Sequence, residues 1–110
     1  MFIGIDIGGT NIKYGIIDNS ANILNQDSFE NAPNIHPIII LEKFKSIIPK
    51  ILERFPSVQS IGVGVPGIID KSGALNVSPN LPLWKDFNIF NEIKKISKLS
   101  ITVDNDANAA

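Results

Sequence analysis

The sequence predicts an α/β domain built on a mixed five-stranded sheet, and three stretches carry that expectation. Residues 2–8 and 11–18 alternate apolar with small or polar residues on either side of a Gly-Gly-Thr turn, as paired antiparallel strands do. Leu41, Phe44, Ile48, Ile51 and Phe55 recur at helical spacing. Val58–Val65, VQSIGVGV, is almost wholly apolar or glycine, the composition of a central strand buried on both faces.

The remaining elements follow in order. Asp18-Asn19-Ser20-Ala21-Asn22 is a turn cluster, and Ile23–Phe29 can form a third strand, completing an antiparallel meander. After the loop Asn31-Ala32-Pro33-Asn34, a helix begins near Pro37, a residue suited to a first turn. Pro49 falls inside the stripe, where proline costs on the order of 3 kcal/mol, yet the stripe keeps phase across it. One kinked helix is therefore expected. Pro66-Gly67 ends the fourth strand. Residues 68–77 read as a small extra hairpin closed by Lys71-Ser72-Gly73, followed by a Pro-rich loop with the single Trp84. Asn88–Ile96 forms a short helix with Ile89, Ile93 and Ile96 on one face, and Ile101–Asp104 a last strand. A strand–helix–strand succession implies right-handed parallel crossovers. The layout puts the meander on one side and the fourth and fifth strands beside the first.

Composition removes several function classes. The chain has 110 residues, enough for one domain, and 44% are hydrophobic. Ten Lys and Arg against eleven Asp and Glu leave no basic footprint for nucleic acid or for an acidic membrane. With no Cys and one His there is neither a disulfide framework nor a thiolate metal site. The start MFIGIDIGG lacks a basic segment and Asp6 breaks its apolar run, unlike a signal peptide. No stretch approaches the roughly 18 apolar residues of a membrane span. A cytoplasmic protein is expected. The polar cluster at the end of ITVDNDANAA resembles a helix start, so the chain reads as a fragment.

If the first, fourth and fifth strands are parallel, their carboxyl ends share one sheet edge, where open α/β sheets bind ligands. Those ends carry Asp6 with Gly8-Gly9-Thr10-Asn11, then Pro66-Gly67, then Asn105-Asp106. Gly8 and Gly9 remove side chains and permit positive φ, so backbone N–H groups can face an anion, while Thr10 and Asn11 add donors. A strand follows this turn where a Walker loop needs a helix. The same glycines also serve an ordinary hairpin turn. Asp6, in an apolar strand, reads as a buried carboxylate that needs a partner such as magnesium or its waters. Asp106 suits a general base that takes a proton from an attacking hydroxyl, and equally a helix N-cap. Phosphoryl transfer needs mainly positioning and charge neutralisation, which one base and one metal-binding carboxylate supply. Ser78-Pro79-Asn80 offers groups suited to sugar hydroxyls, beside a Trp84 that can simply pin the loop. His36 reads as a solvated loop residue, and Lys94-Lys95 as a solvated helix face.

DIGGTNIKYGIID resembles the first phosphate motif of the superfamily of sugar kinases, heat-shock chaperones and actin. Taken with GVGVPGIID, SPNLPLW and ITVDNDANAA in that order, essentially the whole chain resembles the ROK family of bacterial sugar kinases and sugar-responsive repressors. The resemblance implies the ribonuclease H-like N-terminal lobe of a two-lobed kinase, with sheet order 3-2-1-4-5, helices on both faces and a small extra hairpin. Residues 1–110 would form that lobe, with the second lobe absent. It implies that Asp106 is the catalytic base and that Asn105, Gly67 and Asn80 contact the sugar. Gly8, Gly9, Thr10 and Asn11 would hold ATP phosphates, and Asp6 would lie near magnesium. The family's zinc motif of one His and several Cys belongs to the second lobe and cannot form here. The implied partners are a hexose and ATP, and the implied complete protein is a homodimer that binds neither nucleic acid nor membrane.

Three functions are weighed: a hexose kinase lobe inactive by itself, a sugar-sensing repressor of the same family, and a non-catalytic actin-like interaction domain. Repressors usually carry a helix-turn-helix segment before the phosphate motif, whereas Met1 stands one residue before the first strand. The sugar-loop and DNDAN stretches point away from an interaction domain.

Overall fold

A computed structural model describes residues 1–65, 68–69, 75–77 and 81–105; the hairpin strands and the last two of these residues are described by backbone alone. The meander comprises β1 (Phe2–Ile7), β2 (Asn11–Ile17) and β3 (Ile23–Glu30). Then come α1 (Pro37–Arg54), β4 (Ser60–Val65), β5 (Ile68–Ile69), β6 (Leu75–Val77), a 3₁₀ turn at Pro82–Trp84, α2 (Ile89–Lys94) and β7 (Ser100–Asn105). The five-stranded sheet has the order β3-β2-β1-β4-β7, and β5-β6 form a separate antiparallel pair. With β7 counted as the fifth large strand, this is the expected order with its extra hairpin.

Alternation along each strand selects the core face. Ile3, Ile5 and Ile7 of β1 are buried, as are Ile12 and Ile16 of β2 and Ile61, Val63 and Val65 of β4. Register places Ile3 between Ile16 and Ile61, so these side chains form continuous rows under the helices. From α1, Ile40, Leu41, Phe44 and Ile48 enter the same cluster, and Ile89 and Ile93 enter it from α2. Phe44 also meets Tyr14 and Phe29, with ring centroids 6.0 and 5.5 Å away.

Helix α1 runs unbroken through Pro49 for 18 residues, as the unshifted stripe predicts. Pro49 brings no backbone N–H to the helix, and Ile48 beside it is fully buried. His36 does more than sit in a loop: it is the N-cap, and its Nδ1 accepts the N–H of Ile38 at 3.1 Å. Asn88 caps α2 in the same way, accepting the N–H of Asn91 at 3.0 Å. That helix ends at Lys94, with Ile96 only partly buried beyond it. Strand β4 begins two residues later than expected, because the N–H of Val58 still bonds the Phe55 carbonyl in the turn after α1. Trp84 is fully buried against Phe87, and its Nε1 finds no acceptor among the described residues. Lys95 pairs with Glu92, and Lys94 lies over the Phe90 ring.

The expectation of helices on both faces holds for one face among the described residues. Helices α1 and α2 touch each other and share one core. The reason is topological: both crossovers, β3 to β4 and β4 to β7, step the same way across the sheet. Two right-handed connections that advance in one direction put their helices on the same side. On the other face a side chain added at Gly62 would meet nothing within 4 Å.

Candidate phosphate turn at the carboxyl edge of the sheet

Strands β1, β4 and β7 are parallel, so their carboxyl ends do share an edge: Asp6 pairs with Gly64, Gly64 with Asp104, and Val65 with Asn105. The turn after β1 lies on that edge, and the backbone of Asn105 reaches it at the end of β7. Gly67, Asn80 and Asp106 lie outside the described residues, as do Pro66 and the Lys71-Ser72-Gly73 turn.

The Gly8–Asn11 turn is closed by one internal bond, from the N–H of Gly8 to the Asn11 carbonyl at 2.9 Å. The demand for glycine at position 8 differs from the expected positive φ. A Cβ there would stand 2.6 Å from the Asn11 carbonyl oxygen, so the need is for close backbone approach. Thr10 and Asn11 are exposed, and the Asn11 amide donates to the Thr10 hydroxyl at 3.3 Å.

Asn31 holds this turn, and the sequence marked it only as a loop residue. It is the one buried polar side chain among the described residues, 3% exposed. Its N–H bonds the Thr10 carbonyl at 2.8 Å, its side-chain amide donates to the Gly8 carbonyl at 2.8 Å, and its Oδ1 accepts from the N–H of Ala32 at 2.9 Å. Two carbonyls of the turn are thereby drawn back toward the end of β3. The N–H groups of Gly9 and Thr10 have no acceptor among the described residues. A turn with its carbonyls tied inward and consecutive N–H groups free is suited to an anion. Register offered the missing signal: β2 pairs with β3 from Asn11 opposite Glu30, which puts Asn31 beside Thr10.

Asp6 corrects another expectation. It is exposed, because it alternates with the buried Ile5 and Ile7 and leaves the sheet on the face away from the helices. Its need for a partner therefore does not come from burial. Among the described residues no three of His, Cys, Asp and Glu stand together as a metal cage. A single exposed carboxylate instead fits a magnesium ion that is held largely by substrate phosphates and water.

Strand order and crossovers are those of a ribonuclease H-like lobe of the actin and hexokinase superfamily, with a tight glycine turn at the carboxyl edge of the parallel strands. The ROK family model matches residues 2–110, and the chain belongs to that family. It is 28% identical to the glucokinase of Thermotoga maritima, over 97% of this chain and 34% of that protein. It is 27% identical to the xylose repressor of Bacillus subtilis, over 97% of this chain and 28% of that protein. A ROK family glucokinase from Streptomyces griseus, solved with glucose and AMPPNP, superposes with a TM-score of 0.82 at 28% identity, over 98% of this chain and 34% of that one. The chain thus spans about a third of the length of the relatives it matches.

Proposed function

We propose that this chain is the N-terminal lobe of a two-lobed, ATP-dependent hexose kinase. The observation that carries the proposal is the Asn31-clamped turn, with open N–H groups on the sheet edge where Asp6 and β7 also end. In this function Gly8, Gly9, Thr10 and Asn11 cradle the ATP phosphates, and Asp6 faces the magnesium that accompanies them. Asp106 takes the proton from a sugar hydroxyl. That oxygen attacks the γ-phosphorus, and the bond to ADP breaks. Gly67, Asn80 and Asn105 position the sugar. The charge that develops on the transferring group would be met by the backbone dipoles of the turn, and a magnesium ion held near Asp6 would supply further neutralisation. The relatives that support the proposal are kinases named for glucose. The isolated 110 residues would hold one wall of the site and would not turn over.

A second function, sugar-responsive gene regulation, is favoured by one specific observation, the similarity to a xylose repressor. A coupled assay of the full-length protein with ATP, magnesium and a panel of hexoses separates the two. The expected result is ATP-dependent phosphorylation that falls at least about a hundredfold in Asp106→Asn, the low end of general-base contributions. Absence of phosphorylation together with sugar-dependent DNA binding would establish the regulator instead.

A further inference from the structure

We propose that the groove between the edge strand β3 and the last turns of α1 is a binding site for a hexose phosphate, separate from the phosphate turn. The cavity there measures about 330 Å³. That is the low end of small-molecule sites and room for one phosphorylated monosaccharide. The choice of a hexose phosphate rests on the kinase function proposed above, which would release one.

Ile47, Lys50, Ile51 and Arg54 recur at spacings of three and four, so they share one stripe of α1, and this stripe lines the groove. Across from them, register sets the facing of the sheet wall: Tyr14 of β2 stands opposite Asp27 of β3, and the buried Ile16 opposite Asn25. These side chains therefore share the side of the sheet that α1 covers. Ile47, Ile51 and the Tyr14 ring offer an apolar floor to the C–H face of a sugar, and Asn25 and Asp27 offer an amide and a carboxylate to its hydroxyls.

The phosphate is assigned to Lys50 and Arg54. Like charges at i and i+4 repel, and an anion between them removes that cost. No described carboxylate does so: the ion pairs among the described residues are Lys45 with Glu42 and Lys95 with Glu92. Asp27 is engaged instead by the N–H of Ser28 at 2.8 Å and the Tyr14 hydroxyl at 3.5 Å. The Arg54 guanidinium lies 5.4 Å from the centre of the Phe55 ring, a contact that steadies it while leaving its fork of donors for oxygen ligands. Arg54 in the last turn also complements the helix dipole, but that effect fades within one turn and does not account for Lys50. Asp27 on the opposite wall repels a phosphate and so orients the ligand, phosphate towards α1 and hydroxyls towards β3. Ile16 is five residues along β2 from Asn11, about 17 Å, so this site and the phosphate turn do not compete for one ligand.

The test titrates glucose 6-phosphate, glucose and inorganic phosphate into the full-length protein, as wild type, as Lys50→Gln with Arg54→Gln, and as the charge-keeping Lys50→Arg with Arg54→Lys. The groove is read as the difference between wild type and the glutamine variant, because neither residue lies at the turn. Loss of hydrogen bonds to a charged group should weaken glucose 6-phosphate binding in the groove about tenfold or more, and the charge-keeping variant should restore most of it. Glucose and inorganic phosphate should each bind there about tenfold more weakly than the hexose phosphate. Affinities are taken per folded molecule, and the thermal midpoints should agree. Identical glucose 6-phosphate isotherms in wild type and the glutamine variant overturn the site and leave the kinase function standing. Inorganic phosphate that binds as tightly as the hexose phosphate would overturn the sugar assignment and leave a general anion site. A lowered midpoint with unchanged binding would make the two cations structural. The titration reads binding and not turnover, so a protein that phosphorylates no hexose removes the kinase function while the same isotherms still decide the groove.

Discussion

Two tight turns join the three antiparallel strands, and they are built in opposite ways. The Asp18–Asn22 turn satisfies itself. The Asp18 carboxylate accepts the N–H groups of Ser20 and Asn22 at 2.9 Å each and the Asn22 amide at 3.2 Å. Backbone bonds from Ala21 to Asp18 and from Asp18 to Asn22 complete the loop, and Ala21 accepts the left-handed φ of 66° that this closure imposes. The Gly8–Asn11 turn has no internal acidic acceptor. Its carbonyls are held from outside by Asn31, and the N–H groups of Gly9 and Thr10 stay open. Two short turns with similar polar residues thus differ in outcome: one satisfies its own backbone groups, and the other leaves consecutive N–H groups open. What separates them is where the acceptors come from: the turn's own side chain in one case, a neighbouring strand end in the other.

The largest effect should come from Gly8→Val. Its Cβ would stand 2.6 Å from the Asn11 carbonyl oxygen, so the turn backbone must move. Overpacking of this kind costs about 3 kcal/mol at its upper end. Urea denaturation should report that loss, and ATP titration of the folded fraction should report weakened binding as well. Wild-type values in both measurements would mean that the turn is not held as described.

Asn31→Ala comes next and bears directly on the comparison. It strips the donor from the Gly8 carbonyl in a buried place, a cost of about 2 kcal/mol. If the clamp orients the free N–H groups, nucleotide affinity per folded molecule should fall too. A stability loss with nucleotide affinity intact would reduce Asn31 to a structural tie and make the two turns more alike than proposed here.

The smallest effect belongs to Asp18→Ala in the self-satisfied turn. Stability should fall less than with Asn31→Ala, and nucleotide affinity should not change. The effect carries a pH signature. Hydrogen bonds, first of all from the N–H of Asn22, hold the Asp18 carboxyl below its ordinary value. A carboxylate with a lowered folded-state pKa contributes stability above its unfolded pKa and loses it as pH falls through the folded one. The gap between wild type and Asp18→Ala should therefore be present at neutral pH and close in acid below the ordinary aspartate range. A gap that persists there would assign the effect to the left-handed Ala21 rather than to the carboxylate.

Much of this was legible before any coordinates. Alternation in β1 and β2, the Gly-rich apolar run of β4 and the α1 stripe each describe a local period, and each element formed near its expected bounds. The shared carboxyl edge of the first, fourth and last strands was legible too, since parallel strands bring their carboxyl ends together whatever their loops contain. Asn31 was not legible, because an Asn after a strand reads the same whether it is solvated or clamps a distant turn. The facing of Asp6 was misread for a related reason: an acid among isoleucines reads as buried until the pleat assigns its face.

The sequence by itself determined which segments are strands and helices, the order that follows from short connections and right-handed crossovers, and the placing of a glycine turn at the carboxyl edge of the parallel strands. These rest on local periodicity and chain handedness, which every stretch of sequence carries internally. Only the tertiary structure decided that α1 and α2 share one face, that Asp6 and Lys13 emerge together on the other, and that Asn31 ties back the turn. The first follows from the order of the strands in the sheet; the other two depend on register between strands, where a slip of one residue would send every side chain to the opposite face. Register is set by the packing of the whole core, from Ile3 to Ile93, and no single segment contains it.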